Sequence, residues 1–498
     1  NVSPRPVERM IYMKSKRILS LMLALAVLLL CSACSMASAE TADAPDSGAS
    51  VSPDKPDGEA RGGKPPEKPD GEEPPEMPAG QQPPEMKSGA PGKPGGSGGS
   101  GEVTQGTSAN TVSTDGTYSG KTYTSTGGDE NALRIDGAKV TLSGVTVDKA
   151  SGASSSIENG DFYGMNAAVL ATNGAQAEIT GAKISSDTQN GNGVFCYGSG
   201  TTVTISDSTI TTNGDNSGGI QTTGGGTTTA DNLTVSTAGS SSAAIRSDRG
   251  GGTVKVTGGT YTTSGPNSPA VYSTADISAE GAALTATGSE ALVIEGKNSI
   301  ALTDCKVSGS MSKTGGSSSD ENVHNVMIYQ SMSGDADIGT SSLSIKGGTL
   351  TGESGDMFYI TNPHAVVTLS DVSIVNNDES GYLMRVSGNS GERGWGKAGE
   401  NGAQAEVTAD DQTLNGSILV DSISSLSLTL KNGSTFTGSV SILKNDKGSA
   451  DDSSVSVVIG KGCTWKLTGD CTVSTLENNG LIDFNGYSIT LADGSVLS

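Results

Sequence analysis

A repeat of about 25 residues runs through most of this 498-residue chain and restricts the folds that it can adopt. Each repeat opens with a short apolar run, for example at Val169, Val194, Ile220 and Ala244, which follow one another after 25, 26 and 24 residues. Two further strand-like pieces follow in each repeat, separated by Gly, Ser, Asn and Asp. A unit this short cannot bury its own apolar face, so it must stack on neighbouring copies of itself.

Three short strands in each repeat predict one coil of a solenoid. In the repeat 193–218 the pieces read GVFCY, TTVTISD and STITTN, and Val203 and Ile205 alternate with polar residues in the second piece. We therefore predict an all-β fold, a single right-handed parallel β-helix of roughly 14 coils over 106–498, whose last coils cap its C-terminal end. No helix-forming pattern appears after the N-terminal segment.

Residues 1–39 predict an upstream extension followed by an export signal. After Met13, a basic stretch precedes the apolar residues 18–30, a run too short to span a membrane. The following Ser-Ala-Cys resembles a lipobox, in which Cys34 would carry a lipid, whereas cleavage after Ala39 is the alternative. We expect an exported protein at the outer face of a bacterial cytoplasmic membrane, that is, at the cell surface, attached through an N-terminal lipid only.

Residues 40–105 predict a disordered tether. Between Pro45 and Pro94 lie 13 of the 18 Pro residues, interspersed with Glu, Lys and Gly, a composition that cannot build a core. The net charge of −23 argues against nucleic acid as a partner, because phosphate binding needs a basic face.

The cysteines and histidines give no metal site. Cys463 and Cys471 lie eight residues apart, and an exported protein permits a disulfide between them, although separate burial in adjacent strands fits equally well. With two His and no CxxC pair, a zinc site is not predicted. No cofactor is predicted, and Ca²⁺ on acidic loops such as 213–218 is the one alternative.

The segment 243–298 carries the densest cluster of charge in the repeats. Aligning its coils places Arg246 beside Tyr272 and Ile294, and Ser273 beside Glu295. A guanidinium reads carboxylates bidentately and a tyrosine ring can support a sugar, so this cluster indicates a glycan-binding groove. A ladder of ion pairs between stacked coils is the alternative. The ligand-binding candidates are Arg246, Asp248, Arg249, Tyr272, Glu290, Glu295 and Lys297.

The segments GMNAAVLATNGA (164–175), SAAIRSDRGGGTV (242–254) and SPAVYSTADI (268–277) resemble the right-handed β-helix proteins of the pectin-lyase-like superfamily, and in particular exported β-helix lipoproteins of Gram-positive bacteria. That superfamily contains lyases, hydrolases, adhesins and inert scaffolds. In its lyases an Arg or Lys abstracts a proton beside Asp-bound Ca²⁺. The resemblance therefore implies the fold and leaves the activity open.

The predicted function is adhesin-like, non-catalytic binding of a cell-envelope or extracellular polysaccharide, or of another surface protein. A polysaccharide lyase or other carbohydrate-active enzyme is the first alternative, and a structural stalk is the second. The sequence assigns no catalytic residue.

Overall fold

The computed structural model describes residues 103–312, 322–331, 334–388, 399–448 and 453–498. The predicted export signal, Cys34 and the tether up to residue 102 lie outside the described residues. The described chain forms a parallel β-helix, as predicted, with three long sheets that are named sheets 1, 2 and 3 in the order in which each coil visits them.

Sheet 1 has 13 described strands and sheet 2 has 14, which agrees with the predicted number of coils. The sheet 1 strands are Thr111–Val112, Leu133–Asp136, Val169–Thr172, Val194–Tyr197, Ile220–Thr223, Ile245–Ser247, Val271–Ser273, Leu292–Glu295, His324–Tyr329, Asp356–Thr361, Met384–Ser387, Ile418–Asp421 and Val440–Leu443. The sheet 2 strands are Gly116–Ser119, Lys139–Ser143, Gln176–Thr180, Thr202–Ser206, Gly226–Asp231, Gly252–Thr257, Asp276–Glu280, Ser299–Thr303, Thr340–Lys346, His364–Ser370, Gln404–Asp410, Ser425–Lys431, Ser454–Ile459 and Thr475–Asn478.

Sheet 3 has ten described strands, and two smaller sheets continue the solenoid beyond it. The sheet 3 strands are Thr122–Ser125, Thr146–Lys149, Lys183–Ser186, Thr209–Thr212, Thr234–Thr237, Thr260–Thr263, Ala283–Ala286, Lys306–Gly309, Thr349–Gly352 and Ser373–Asn376. A four-stranded sheet contains Thr413–Asn415, Thr435–Thr437, Thr464–Lys466 and Leu481–Asp483. A three-stranded sheet contains Cys471–Val473, Ile489–Leu491 and the antiparallel Val496–Leu497, and Thr107–Ser108 pairs with Glu130–Asn131.

The core lies inside the coils and is filled by alternate residues of each strand. Val203 and Ile205 point inward and pair in register with Ala177 and Ile179 of the preceding coil. Alternation of buried and exposed residues matches the two-residue period of a strand, and the parallel register repeats it from coil to coil.

The corner between sheets 2 and 3 requires a left-handed backbone residue in successive coils. Asp, Asn and Gly adopt that conformation at the lowest cost, which explains their recurrence in the sequence. The residues at this corner in five consecutive coils are Asp207, Asn232, Gly258, Gly281 and Asp304, with φ of 47°, 51°, 61°, 65° and 52°.

The corner from sheet 3 back to sheet 1 is held by stacked serines. The backbone N–H of Ser217 donates to Ser242 Oγ, and that of Ser242 donates to Ser268 Oγ, both at 2.9 Å. Each serine thus satisfies a backbone donor of the previous coil, since a buried amide without a partner would be costly.

One helix, α1 (Ile157–Tyr163), interrupts the β structure of the described residues, so the prediction that no helix follows the N-terminal segment is wrong. Ser156 caps its first turn by accepting from the Asn159 N–H at 3.2 Å, and Gly164 closes it with φ 78°. Seven residues are too few for a periodic pattern, so the cap residues were the available signal. No helix in the described part of the chain has the length and apolarity needed to cross a membrane.

Candidate functional site

The outer face of sheet 1 differs from the rest of the solenoid surface. Sheets 2 and 3 present mainly Thr and Ser outward, as in the strand Thr209–Thr212, whereas sheet 1 presents large and charged side chains. Parallel pairing aligns these in one outward column: Arg134, Leu170, Phe195, Gln221, Arg246, Tyr272, Val293, Met327, Tyr359, Arg385 and Leu419.

The segment 150–167 lies along this face over several coils. The Gln221 side chain donates from Nε2 to the carbonyl of Asp161 at 2.6 Å, and Thr223 Oγ1 donates to the carbonyl of Phe162 at 2.7 Å. Sequence reasoning missed helix α1, and with it Asp161, as part of the charged cluster.

Arg246 is buried between two carboxylates. Its Nη2 lies 2.9 Å from Asp248 Oδ2 and 3.2 Å from Asp161 Oδ2, and the residue is 7% exposed. Burial alone would lower the pKa of Arg246, but Asp161 and Asp248 raise it above its ordinary value, so the guanidinium stays charged. Burial raises the pKa of Asp248 to about 7 against the lowering effect of Arg246.

Arg249 connects two insertions that come from distant coils. Its Nε and Nη2 donate to Asp335 Oδ1 at 3.1 and 2.6 Å, and its guanidinium carbon lies 4.0 Å from the centre of the Phe162 ring. Asp335 belongs to the connection that follows the strand His324–Tyr329. The connection and helix α1 therefore meet over the coil of Arg249.

Glu295 forms a second buried cluster with hydroxyl groups. Its Oε2 accepts from Tyr272 at 2.5 Å and from Tyr329 at 2.7 Å, and its Oε1 accepts from Ser331. The two tyrosine oxygens lie 3.2 Å apart. Burial first, and then the neighbouring Glu295 carboxylate, raises the pKa of Tyr272 well above its ordinary value.

The predicted alignment of the later coils is wrong by one residue. Arg246 pairs with Tyr272 as expected, but Tyr272 pairs with Val293, and Ser273 pairs with Ile294. The run Ala-Leu-Val-Ile at 291–294 is apolar throughout, so no alternation indicated which of its residues face inward.

The two remaining candidates do not join these clusters. Glu290 is 1% exposed at the start of its sheet 1 segment and accepts from Ser289 Oγ at 2.5 Å. Lys297 is exposed beyond the end of its strand, and its side chain lies beside the backbone of Gly339. Arg246 and Asp248 are buried in one ion-paired cluster, and Glu295 is buried in a second cluster of hydroxyl donors. These three charged groups therefore do not line an open groove in the segment 243–298. Ligand binding there stays a prediction.

An open cleft of about 360 Å³ lies further along the same face. It spans four successive sheet 1 strands, so at about 4.8 Å per coil it is about 14 Å long. Sequence reasoning did not select its residues, because a lone Arg or Lys on a coil carries no signal until the coils are stacked. The lining residues are Asn322, Tyr359, Arg385, Ser387, Gly388, Leu419, Asp421, Leu443, Lys444, Asn445, Asp446 and Lys447.

Two carboxylates at this cleft have structural roles. Asp356 Oδ2 accepts from Arg385 Nε at 2.6 Å and its Oδ1 accepts from the Tyr382 N–H at 2.8 Å. Asp421 Oδ2 accepts from the Gly388 N–H at 2.8 Å and from Asn445 Nδ2 at 2.7 Å. Both groups hold the cleft wall in place through charge-assisted hydrogen bonds.

The cationic groups of the cleft are available to a ligand. Arg385 uses only Nε for its ion pair, so its two Nη groups donate to no atom in the described part of the chain. Lys444 and Lys447 are exposed at the rim. The guanidinium carbon of Arg385 lies 5.0 Å from the centre of the Tyr382 ring, and its Nη donors can hydrogen-bond hydroxyl and acidic oxygens of a ligand in a fixed plane.

Cys463 and Cys471 are both free thiols in this structure, 1% and 2% exposed, which is the separate burial that the sequence left open. Cys471 Sγ accepts from the Val440 N–H at 3.4 Å. Across the described ranges, no three His, Cys, Asp or Glu side chains are grouped so as to hold a metal ion.

No protein-family model, curated protein or solved structure matches this chain. The parallel β-helix is therefore established from the geometry of the chain alone.

Proposed function

We propose that this chain is an exported, lipid-tethered β-helix protein of the pectin-lyase-like superfamily that binds a glycan or another cell-envelope component at the cell surface without transforming it. The observation that carries the proposal is the open cleft on sheet 1. Its exposed Leu443 side chain, free Arg385 donors and rim lysines match what polar sugars require, namely an apolar surface with a few convergent donors.

The non-catalytic part of the proposal rests on how the carboxylates are engaged. Glycoside hydrolysis needs two carboxyl groups that face the substrate as acid and as base or nucleophile. Asp356 and Asp421 instead accept two or more hydrogen bonds from the cleft wall itself, which leaves Asp446 as the one exposed carboxyl group among the described lining residues. A role as scaffold for a ligand site fits these carboxylates better than proton transfer.

A glycan array probed with the full chain tests this function. The variant Lys444→Ala/Lys447→Ala removes two exposed rim cations, and Lys461→Ala is the matched control because Lys461 is exposed on a turn away from the cleft. We expect the wild type and the control to bind the same glycans and the double variant to bind them about thirtyfold more weakly, since the two exposed charge contacts contribute about 1 kcal/mol each.

Binding of no glycan, or equal binding by all three proteins, would remove the cleft from consideration. Release of unsaturated sugar products from a bound acidic polysaccharide would favour the lyase alternative. Arg246 is unsuitable for this test, because replacing a buried guanidinium leaves two carboxylates without a counter-charge.

A further inference from the structure

Segment 150–167 is fixed to sheet 1 through a cluster in which one cation faces two anions. Arg246 Nη2 contacts Asp161 Oδ2 from helix α1 and Asp248 Oδ2 from the end of its own strand. All three side chains are at most 11% exposed. One buried guanidinium balances one carboxylate, so full ionisation of both leaves a net negative charge away from water, which is unfavourable.

Amide donors from the corner between sheets 3 and 1 orient Asp161 in this cluster. Asn190 Nδ2 donates to its Oδ1 at 2.9 Å and Asn216 Nδ2 donates to its Oδ2 at 3.0 Å. Asp248 Oδ1 accepts from the Arg249 N–H at 3.0 Å. Besides the guanidinium of Arg246, Asp161 has donors on both of its oxygens, whereas Asp248 has one backbone donor. A proton that relieves the excess negative charge of the cluster therefore resides on Asp248.

We propose that segment 150–167 is a pH-dependent cover of sheet 1, which a proton shared within Asp161, Arg246 and Asp248 holds closed and which loosens as that proton is lost. The groups whose charges surround the cluster come from three directions. They are Arg246, Arg249 and Tyr272 on the sheet, Glu158, Asp161 and Tyr163 on helix α1, and Asp335 on the connection that contacts Arg249.

The direction of the effect follows from Asp248. Its pKa in the closed form is about 7, above its ordinary value of 3.8, because burial disfavours its charge. The closed form therefore holds a proton that the open form releases, so the closed form is fully favoured at low pH and loses that advantage as the pH rises through about 7. From about pH 5.5 to about pH 8.5 the ratio of closed to open forms falls about thirtyfold.

The cover hides apolar surface that a ligand could use. Leu170 and Phe195 of the sheet form an apolar cluster with Ala167 of the cover, and Tyr163 of the cover packs edge-on against Tyr197 of the sheet with ring centres 5.6 Å apart. Opening of the cover exposes this surface on the same face as the cleft. The cover stands independently of the proposed function, since it concerns the chain's own segment and no ligand.

Hydrogen exchange of the full chain, followed by mass spectrometry and corrected for the chemical exchange rate at each pH, tests the cover. In the wild type we expect amide protection of 157–167 to fall about thirtyfold from about pH 5.5 to about pH 8.5. Asp248→Asn keeps the side-chain size but cannot release the proton, so protection should be independent of pH.

Asp335→Asn is the matched control. It breaks the ion pair with Arg249 over the same cover but leaves the three-residue cluster intact, so its protection should fall with pH as in the wild type. Amides of the strand Ser425–Lys431 report in every sample that the solenoid remains folded. A wild-type protection that does not change with pH, or the same pH profile in Asp248→Asn, would overturn the proposal.

Discussion

Replacement of Tyr272 by Phe should loosen the centre of sheet 1 by an amount that the structure allows us to estimate. The change removes the hydroxyl that donates to Glu295 Oε2 at 2.5 Å and leaves the ring in place. Hydrogen bonds to charged groups contribute about 1.5–3 kcal/mol. Amides of the segment 292–299 should then exchange about ten to a hundred times faster, since each 1.4 kcal/mol is about tenfold.

The double variant Tyr272→Phe/Tyr329→Phe sharpens this expectation. Both hydroxyls donate to the same oxygen and lie 3.2 Å apart, so their loss should not be additive. With both removed, the buried carboxylate keeps Ser331 of the three hydroxyl donors, and we expect the double variant to cost about 0.5–3 kcal/mol more than the sum of the single variants.

Hydrogen exchange at a single pH compares the wild type, the single variants Tyr272→Phe and Tyr329→Phe, and the double variant. A further protein, Tyr487→Phe, is the control because Tyr487 lies far along the chain and is 38% exposed. If both single variants exchanged at the wild-type rate, Glu295 would not need these donors and the reasoning about a satisfied buried carboxylate would fail.

Three further outcomes follow from packing and capping. Trp465→Ala should destabilise the C-terminal coils by about 3–5 kcal/mol, seen as lost amide protection in the strand Thr464–Lys466, because the ring is fully buried against Phe436. Ser156→Ala should speed exchange in helix α1 about fivefold, since an N-cap contributes about 1 kcal/mol. The thiols of Cys463 and Cys471 should react with a thiol reagent only after unfolding, as followed by mass spectrometry.

The class of fold was predictable because sheets 2 and 3 keep one face in the core and one in water. Strands such as Thr202–Ser206 alternate buried and exposed residues, and this alternation is visible in the sequence. Coil length follows from the turn residues, which must tolerate a left-handed backbone at a fixed position in each coil. Both signals are local and repeat many times.

Sheet 1 could not be predicted to the same detail because both of its faces are buried over much of its length. All four residues of Leu292–Glu295 are buried, so their sequence shows no alternation and the register was misjudged by one residue. The candidate residues Arg246 and Asp248 were selected correctly as neighbours, but the partner that buries them, Asp161, comes from a helix of a distant coil. Contacts of this kind have no signature in a single repeat.

The long connections of the chain flank one of the three sheets, and this distinguishes sheet 1 from sheets 2 and 3. The corner between sheets 2 and 3 is two residues in most coils, as at 207–208, whereas the longest connections between the described strands all flank strands of sheet 1: 150–168, 310–323, 330–339, 388–403 and 444–453. Insertions in repeat proteins accumulate on one face, which is often the binding face. Two of these connections cover the first part of that face around Arg249, and the residues 444–447 instead border the open cleft. Under the proposed function, the insertions that hide the predicted cluster leave the part of sheet 1 near Arg385 as the accessible place for a ligand.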